Sequence, residues 1–253
     1  MSASRSELVA YANAALAVDK FRDYCPNGLQ VEGRDCLTKI VVGVTACQAL
    51  IDASIEANAD IILVHHGYFW KGESEPLTGI KGKRIKSLMQ ADINLLAYHL
   101  PLDAHPEWGN NAQLAKVLGI HIEGALEPNN PLSIGNIGAL ASAIPADTFA
   151  KQVAVLLGRD PQLINAGKRQ VKRVAWCTGA AERMIEQAHN QGADMFISGE
   201  ISEPVVHFAR EAGIHYLSAG HHATERYGVQ AFGQHLAQRF GLEYQFIDID
   251  NPV

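Results

Sequence analysis

The sequence predicts an α/β fold composed of two related α/β/α units with mixed sheets. Short aliphatic runs of strand length alternate with longer segments whose apolar residues recur at helical spacing. An internal repeat relates the two halves, because Ala59–His66 aligns without a gap on Ala193–Glu200. Each half also places polar residues where strands end, the edge at which open α/β sheets usually bind ligands. We therefore expect units 1-126 and 127-253, with an irregular stretch over 123-169.

The composition of the 253-residue chain is that of a globular protein, since 47% of the residues are hydrophobic and 19% are charged. A net charge of -6 argues against a broad nucleic-acid-binding surface, although it leaves a local cationic pocket open. The N-terminus shows no signal-peptide pattern, and no apolar run reaches membrane-spanning length. The four cysteines form no CxxC pair. We therefore expect reduced thiols in a cytoplasmic protein that has no membrane partner.

Helices are predicted from apolar residues at helical spacing and from residues that start or end helices. A serine at position 4 or 6 and Thr45 are expected to cap the first two helices. Gly119 is expected to end the helix that begins at Asn110. The predicted helices run from the capping serine to about Val18 and over 47-57, 78-90, 110-118, 147-157, 181-191 and about 229-239.

Strands are predicted from short aliphatic or aromatic runs bounded by turn residues. The predicted strands cover 40-44, 61-64, 93-98, a short segment near Ile137, 173-177, 193-200, 214-219 and 244-248.

Two consecutive histidines, His65 and His66, follow the apolar run 61-64, and Gly67 then stops the strand. Inside a strand, neighbouring side chains point to opposite faces, so one ring of such a pair would enter the core. At the carboxyl end of the strand the chain is turning, and both rings can face a crevice. In the second half, Gly199-Glu200 occupy the aligned positions.

A histidine and a carboxylate four residues later follow another predicted strand in each half. His99 and Asp103 align with His221 and Glu225 at one constant offset. This spacing is compatible with coordination of a metal on one face of a helical turn, or around a tight loop. Two related units that face each other would bring all four strand ends together, so we expect the metal site in the cleft between the units.

The donor set of imidazole nitrogens and carboxylate oxygens suits Zn, Fe, Mn or Ni, whereas a site for Mg or Ca alone would be all oxygen. Five ligands exceed what one tetrahedral ion with an open position needs, so two divalent metal ions per chain, bridged by a carboxylate, fit the count better. The alternative interpretation is that these side chains cap helices or form hydrogen bonds in the core. The predicted metal ligands are His65, His66, Asp103, His221 and Glu225.

Other polar and aromatic residues near the strand ends are candidates for proton transfer or substrate binding. The candidate catalytic residues are His99, Glu200 and His222, although Glu200 could equally orient a ligand or be a surface carboxylate. The aromatic segment 68-70 could stack on a planar base, but packing against its own loop or against another subunit is an equal alternative. Asn27-Gly28 is more typical of a turn than of a site.

Five motifs together carry a resemblance to a known family: Pro26-Asn27-Gly28-Leu29-Gln30-Val31, Val64-His65-His66-Gly67, His99-Leu100-Pro101-Leu102-Asp103, Asn110-Asn111 and Gly220-His221-His222-Ala223-Thr224-Glu225. Over essentially its whole length the chain resembles the GTP cyclohydrolase 1 type 2 family, also called NGG-one-interacting-factor-three-like or YbgI-like. The resemblance implies a two-domain α/β fold, a dinuclear metal centre and a toroidal homohexamer. It places the family's metal ligands on the five residues named above, with Glu225 as the bridge. The short irregular middle resembles the compact bacterial form.

The resemblance implies a metal-dependent hydrolase that acts on a small molecule, a nucleotide or a purine-like compound. In this hypothesis a metal-activated hydroxide attacks an electrophilic carbon, which is C8 of a purine in the cyclohydrolase case. His99, His222 or Glu200 would move protons, and aromatic residues near Tyr68 would hold the base. A phosphoester or damaged-nucleotide hydrolase is an alternative, because two metals suit phosphoryl chemistry equally well. A second alternative is a non-catalytic metal-binding ring that acts as a scaffold or regulator.

Overall fold

A computed structural model describes residues 3-253 of the chain. The strands are β1 (Ala3–Ser4), β2 (Gly28–Val31), β3 (Cys36–Leu37), β4 (Lys39–Val42), β5 (Ile61–Val64), β6 (Asn94–Ala97), β7 (His121–Ala125), β8 (Asn136–Pro145), β9 (Gln162–Ile164), β10 (Gln170–Trp176), β11 (Met195–Ser198), β12 (His215–Ser218) and β13 (Glu243–Phe246). The α-helices are α1 (Arg5–Ala15), α2 (Gln48–Glu56), α3 (Gly79–Gln90), α4 (Leu100–Ala104), α5 (Asn110–Leu118), α6 (Ala146–Leu157), α7 (Ile185–Asn190), α8 (Glu203–Ala212) and α9 (His221–Phe240). Within residues 3-253, no helix combines the length and the apolar character needed to cross a membrane.

The first unit comprises the described chain up to Leu102 together with Val229–Asp250. Its five-stranded sheet has the order β13-β4-β5-β6-β2, in which only β2 runs antiparallel to its neighbour. All four residues of β5 are buried, as expected for a continuous aliphatic run in the centre of a parallel sheet. The apolar faces of α2 and α3 join the same core through Leu50 and Leu88.

The second unit comprises Asp103–Gly228 together with Asn251–Val253. Its six-stranded sheet has the order β7-β8-β10-β11-β12-β9, in which β10, β11 and β12 are parallel and the remaining pairs are antiparallel. Trp176 and Phe149 are among the largest fully buried side chains and belong to one core cluster of this unit.

The two sheets contain the same arrangement of strands. In each unit, three consecutive parallel strands carry an antiparallel edge strand beside the third of them, namely β2 beside β6 and β9 beside β12. The prediction of two related α/β units with mixed sheets is therefore confirmed.

The division of the chain differs from the predicted units 1-126 and 127-253, because each unit takes its last strand from the other repeat. At the end of the chain, β13 pairs in parallel with β4, with Tyr244 opposite Ile40. The corresponding strand of the first repeat, β7, pairs with β8 of the second unit. The helix before it, α5, places Leu114 and Leu118 in the core of that second unit.

Several element boundaries also differ from the predicted ones. The last helix begins at His221 rather than near Val229; its Gly228 interrupts the apolar spacing, and a Cβ there would lie 2.2 Å from Asn110 Oδ1. Thr45 does not cap α2: Cys47 holds the N-cap position, and Thr45 instead forms an isolated parallel bridge to His66.

Further differences lie in the second half of the chain. The predicted helix 181-191 divides into a 3-10 turn, Glu182–Met184, and α7. The strand near Ile137 extends over ten residues. The helix α8 and the edge strands β2, β7 and β9 were not predicted. By contrast, the predicted helix Asn110–Leu118 is confirmed, and Gly119 ends it with a left-handed φ of 67°.

Candidate metal centre

The first group of candidate ligands lies in the first unit, directly after β5. The backbone amides of His65 and His66 both donate to Val44 O at 2.9 Å, so the chain turns at the strand end. His65 is fully buried, whereas His66 is partly exposed. His65 Nδ1 bonds to Tyr98 O at 2.8 Å. Because a carbonyl oxygen only accepts, Nδ1 carries the proton and the neutral ring has its lone pair on Nε2, the form that ligates metal.

His99 joins this pair. The ring centroids of His65 and His99 are 5.1 Å apart, and those of His66 and His99 are 5.9 Å apart. The three residues offer ligand atoms that all lie within 4.8 Å of one another, so the group could hold a metal ion. Thr45 Oγ1 lies 3.1 Å from His66 Nδ1 and helps to orient that ring.

Asp23 orients His99, and the sequence reasoning missed it. Asp23 Oδ1 accepts from His99 Nδ1 at 2.7 Å, and the other carboxylate oxygen accepts from the Leu100 amide at 2.9 Å. Asn27 Oδ1 accepts from the His99 amide at 2.7 Å, so this residue does more than form a turn. Burial raises the pKa of Asp23, but hydrogen bonds from His99 and Asn27 and the charge of His99 outweigh it, and the pKa is lowered. The carboxylate stays ionised and holds the imidazole in one orientation.

Asp23, His99 and Cys25 form a further group whose ligand atoms lie within 4.8 Å of one another. Burial, followed by the negative charge of Asp23, raises the pKa of the Cys25 thiol to about 12. Metals bind the thiolate, so this high pKa disfavours Cys25 as a ligand.

Asp103 is buried in the second unit, where neutral side chains orient its carboxylate. Asn110 Nδ2 donates to Asp103 Oδ1 at 2.9 Å, and Thr178 Oγ1 donates to the same oxygen at 3.3 Å. Asn111 connects the two segments, because its Nδ2 donates to Asp103 O at 3.3 Å and its Oδ1 accepts from the Thr178 amide at 3.0 Å. Asn110 and Asn111 belong to one of the motifs singled out in the sequence, and their role here is to fix a candidate ligand.

His221 and Glu225 lie one turn apart at the start of α9. His221 Nε2 is 3.1 Å from Glu225 Oε2, and His221 Nδ1 donates to Glu200 Oε1 at 2.6 Å. Burial lowers the pKa of His221, but hydrogen bonds and negative charge from Glu225 and Glu200 outweigh it and raise the pKa to about 9. Glu200 thus holds the His221 ring through this hydrogen bond, and its candidate role in proton transfer stays a prediction.

Gly179 provides the space that the Glu225 carboxylate occupies. Its φ of 69° lies in the left-handed region, which side chains disfavour. A Cβ at this position would lie 2.2 Å from Glu225 Oε1 and 3.2 Å from His221 Nε2. In the sequence, Thr178-Gly179 has only the composition of a turn, and no local pattern indicates the contact with Glu225.

The remaining candidates have separate surroundings. The ring of His222 is largely buried, and its backbone amide donates to Val253 O at 2.9 Å. Tyr68 is buried, and its hydroxyl donates to Ala46 O at 2.7 Å, so it anchors its own loop instead of offering a face for stacking. Tyr68 therefore packs in the hydrophobic core of the first unit.

Comparison with known proteins gives matches over nearly the whole chain. The model of the Duf34/NIF3 (NGG1p interacting factor 3) family matches residues 3-252. A protein of Pseudomonas aeruginosa named GTP cyclohydrolase 1 type 2 homolog is 55% identical over 253 residues and is covered over 100% of both chains. Among solved structures, protein ybgI, described as of unknown function, matches with a TM-score of 0.94 at 48% identity, over 99% of this chain and 100% of that one. TTHA1606 from Thermus thermophilus matches with a TM-score of 0.90 at 34% identity, over 99% and 100%.

Proposed function

The chain belongs to the Duf34/NIF3 family, and on this premise we propose that it is a divalent-metal-dependent hydrolase with a dinuclear centre. The proposed ligands are His65, His66, Asp103, His221 and Glu225. The proposal includes the single shared cleft that the internal repeat predicts. The metal is Zn, Fe, Mn or Ni, since these ions accept mixed imidazole and carboxylate donors.

The observation that carries the proposal is the orientation of the candidate histidines. His65 is fully buried, and its Nδ1 proton is held by Tyr98 O, so the basic nitrogen is Nε2. His221 donates its Nδ1 proton to Glu200. Histidines that ligate metals in proteins almost always donate their other ring N–H to a carbonyl or a carboxylate in this way. The residues present therefore fit a metal.

The proposed chemistry divides into binding and proton transfer. A bound pair of divalent ions would lower the pKa of water and stabilise negative charge that develops on the attacked group. His99, with Nδ1 held by Asp23, presents Nε2 as the atom that accepts or donates a proton. Glu200 and His222 are the other candidates for proton transfer.

We extend the proposal to the substrate and the assembly. Relatives that are half identical to this chain are named for GTP cyclohydrolase 1 type 2, so the proposed substrate is a nucleotide or purine-like compound, with GTP as the first to test. The family resemblance supports a toroidal homohexamer in the cytoplasm. Native mass spectrometry should show six copies, and a monomer at micromolar concentration would contradict the assembly.

The test is formate release from GTP, because opening the imidazole ring at C8 and hydrolysing the product frees that carbon. Protein loaded separately with each of the four metals is incubated with GTP, and formate is quantified. We expect His66→Ala to lose both bound metal and turnover, whereas His189→Ala, which removes an exposed histidine of α7, should keep both. Absence of formate with all four metals would reject GTP as the substrate. Absence of metal from the wild-type protein would reject the hydrolase.

A further inference from the structure

The loop that follows the histidine pair presents aromatic rings beside the first group of candidate ligands. We propose that Trp70 and Tyr24 form a stacking subsite for a planar heteroaromatic base of purine size. This inference deepens the proposed function and depends on it for the reaction, but the binding that it predicts can be measured without turnover.

The loop is held rigidly by Gln30 and Tyr68. The Gln30 side chain bonds to both backbone polar groups of Tyr68, accepting from its amide at 2.7 Å and donating to its carbonyl at 3.1 Å. The Tyr68 hydroxyl donates to Ala46 O at 2.7 Å and fixes the buried end of the ring. A Cβ on Gly67 would lie 2.2 Å from Gln30 Oε1 and 2.6 Å from Ala97 Cβ, so the close approach of the loop to β6 requires glycine. Hydrogen bonds from Gln30 and from the Tyr68 hydroxyl therefore fix the conformation of the loop.

Backbone strain at Phe69 points to a functional role for this loop. Phe69 has a φ of 66°, a conformation that is unusual for a bulky residue. Strained residues persist only where the surroundings hold them, and they concentrate at ligand-binding and catalytic sites. The residue that this strain positions is Trp70, whose amide donates to Glu73 Oε2 at 3.1 Å and whose Nε1 donates to Gly67 O at 3.2 Å.

The surroundings of each ring decide which of them can accept a ligand. Tyr68 is 4% exposed and has no free face. Phe69 has Lys81 Nζ over its ring at 5.8 Å from the centroid. Trp70 is partly exposed, and Tyr24 is 63% exposed, an unusual degree for an aromatic ring. Phe69 is also 37% exposed, but Lys81 Nζ lies over its ring, so in the described chain Trp70 and Tyr24 are the two exposed rings of this region that have no cation over them.

These two rings lie around His99. The Trp70 ring meets the His99 ring edge to face at 5.0 Å, and the Tyr24 ring meets it at 6.4 Å. The Lys71 amide donates to Tyr24 O at 2.6 Å, which ties the two aromatic segments together. Trp70 is also 6.0 Å from the His66 ring. A base stacked on Trp70 would therefore lie next to two residues of the proposed reaction.

Stacking on aromatic side chains accepts any base, because every base has a π-face, and larger rings gain more contact area. The subsite thus predicts affinity for the base itself, independent of phosphate. Guanosine should bind, and ribose 5-phosphate, which lacks the base, should not bind measurably. Cytidine, with a smaller ring, should bind more weakly than guanosine.

The experiment measures guanosine binding by isothermal titration calorimetry, using the full-length protein as purified and after treatment with a chelator. We expect Trp70→Ala to weaken binding about tenfold and Trp70→Phe to restore most of the affinity. Tyr24→Ala, at a highly exposed position that should not affect folding, provides a second variant with a smaller loss. The matched control is Trp108→Ala, since Trp108 stacks on His105 at 4.5 Å within the second unit.

Each outcome bears on one proposal only. Unchanged guanosine binding in both Trp70→Ala and Tyr24→Ala, equal loss in Trp108→Ala, or no binding of guanosine to the wild-type protein would overturn the subsite. Binding that depends on Trp70 without formate release from GTP would leave the subsite standing and reject the cyclohydrolase reaction.

Discussion

Asp60 and Asp194 occupy equivalent positions in the two repeats, and their contacts are nearly identical. Each carboxylate accepts from two consecutive backbone amides of the neighbouring strand segment, at 2.6 and 3.0 Å for Asp60 and at 3.0 and 2.7 Å for Asp194. Each also pairs with an arginine, Arg34 at 3.0 Å in the first case and Arg169 at 2.5 Å in the second. At the amino ends of their parallel strands, the two repeats therefore use the same interactions.

The carboxyl ends of the same strands differ. After β5 come His65 and His66, whereas after β11 come Gly199 and Glu200. Both ends turn through backbone hydrogen bonds to the segment that follows the neighbouring strand. The acceptor is Val44 O, after β4, in the first repeat, and Gly179 O, after β10, accepts from the Gly199 amide in the second. The two repeats therefore share the interactions that stabilise the amino ends of their strands, but they differ in the polar residues at the carboxyl ends, where α/β sheets usually bind ligands.

The spacing before the second pair of polar residues also differs. Strand pairing makes Asn94 equivalent to His215, because they lie opposite Ile61 and Met195, the first residues of β5 and β11. His99 follows Asn94 by five residues, whereas His221 follows its strand equivalent by six. As a result His99 precedes α4, while His221 is the first residue of α9.

The largest expected effect comes from making the first strand end resemble the second. In His65→Gly the buried ring and its oriented Nε2 are lost, so metal affinity should fall about 100-fold or more, because even changes to groups that only orient a ligand cost 10–100-fold. Glu200→Gln, which changes an orienting group, should weaken binding by less. Metal content after dialysis, measured by mass spectrometry, checks both variants. If His65→Gly retained full occupancy, the ligand set would be wrong.

A second test concerns equivalent positions with and without a side chain. Thr45 in the first repeat aligns with Gly179 in the second. A residue with a Cβ at position 179 would collide with the Glu225 carboxylate. Gly179→Ala should therefore cost about 3 kcal/mol in unfolding free energy, from its positive φ and from the collision. Thr45→Ala, which removes only the contact to His66 Nδ1, should cost less than about 1 kcal/mol. Urea unfolding measures both, and equal losses would show that the two turns have the same packing.

The parts of the site that the sequence predicted are those that lie at the ends of apolar runs. The aliphatic segment before His65 and the helical spacing of Asn110–Leu118 are local signals, because burial on one face imposes a period on the chain. The repeat could also be predicted from the gap-free alignment at Asp60 and Asp194. The structure explains this alignment, because the two carboxylates accept equivalent hydrogen bonds from the backbone.

The parts that the sequence did not predict depend on contacts between distant segments. Asp23 meets His99 across 76 positions, and Asn27 meets it across 72, from a segment whose composition indicates only a turn. The exchange of β7 and β13 between the units likewise depends on which sheet edge each strand joins. The β propensity of a segment predicts that it forms a strand but not which strand it pairs with. The predicted boundary at 126 therefore coincides with the sequence repeat and not with the packed units.

The shared aspartates provide a third test, of moderate size. Asp60→Ala leaves two buried backbone amides of the first unit without their acceptor, and Asp194→Ala does the same in the second unit, so each should cost about 2 kcal/mol. Hydrogen exchange should locate the loss, with faster exchange in β4 and β5 for Asp60→Ala and in β10 and β11 for Asp194→Ala. If one variant loosened its sheet and the other did not, the equivalence of the two positions would fail.

The smallest expected effect distinguishes the arginine from the backbone donors around Asp60. Burial raises the pKa of Asp60, but hydrogen bonds from Thr38 and Lys39, together with the charge of Arg34, outweigh it and lower the pKa below its usual value. A lowered pKa in the folded state means that this carboxylate stabilises the protein at neutral pH, and that the contribution is lost as the pH falls through the folded-state pKa.

Arg34→Gln should therefore reduce stability at pH 7 by less than about 1 kcal/mol, since the guanidinium is partly exposed and its interaction is screened. The difference from wild type should shrink toward pH 3, as Asp60 takes up a proton and its attraction to Arg34 disappears. Urea unfolding at the two pH values measures this, with Lys151→Gln on α6 as a control for removal of one surface charge. A difference of the same size at both pH values would show that Arg34 acts through its hydrogen bonds to Asp92 O and Ala91 O, at 3.1 and 2.9 Å, and not through the charge of Asp60.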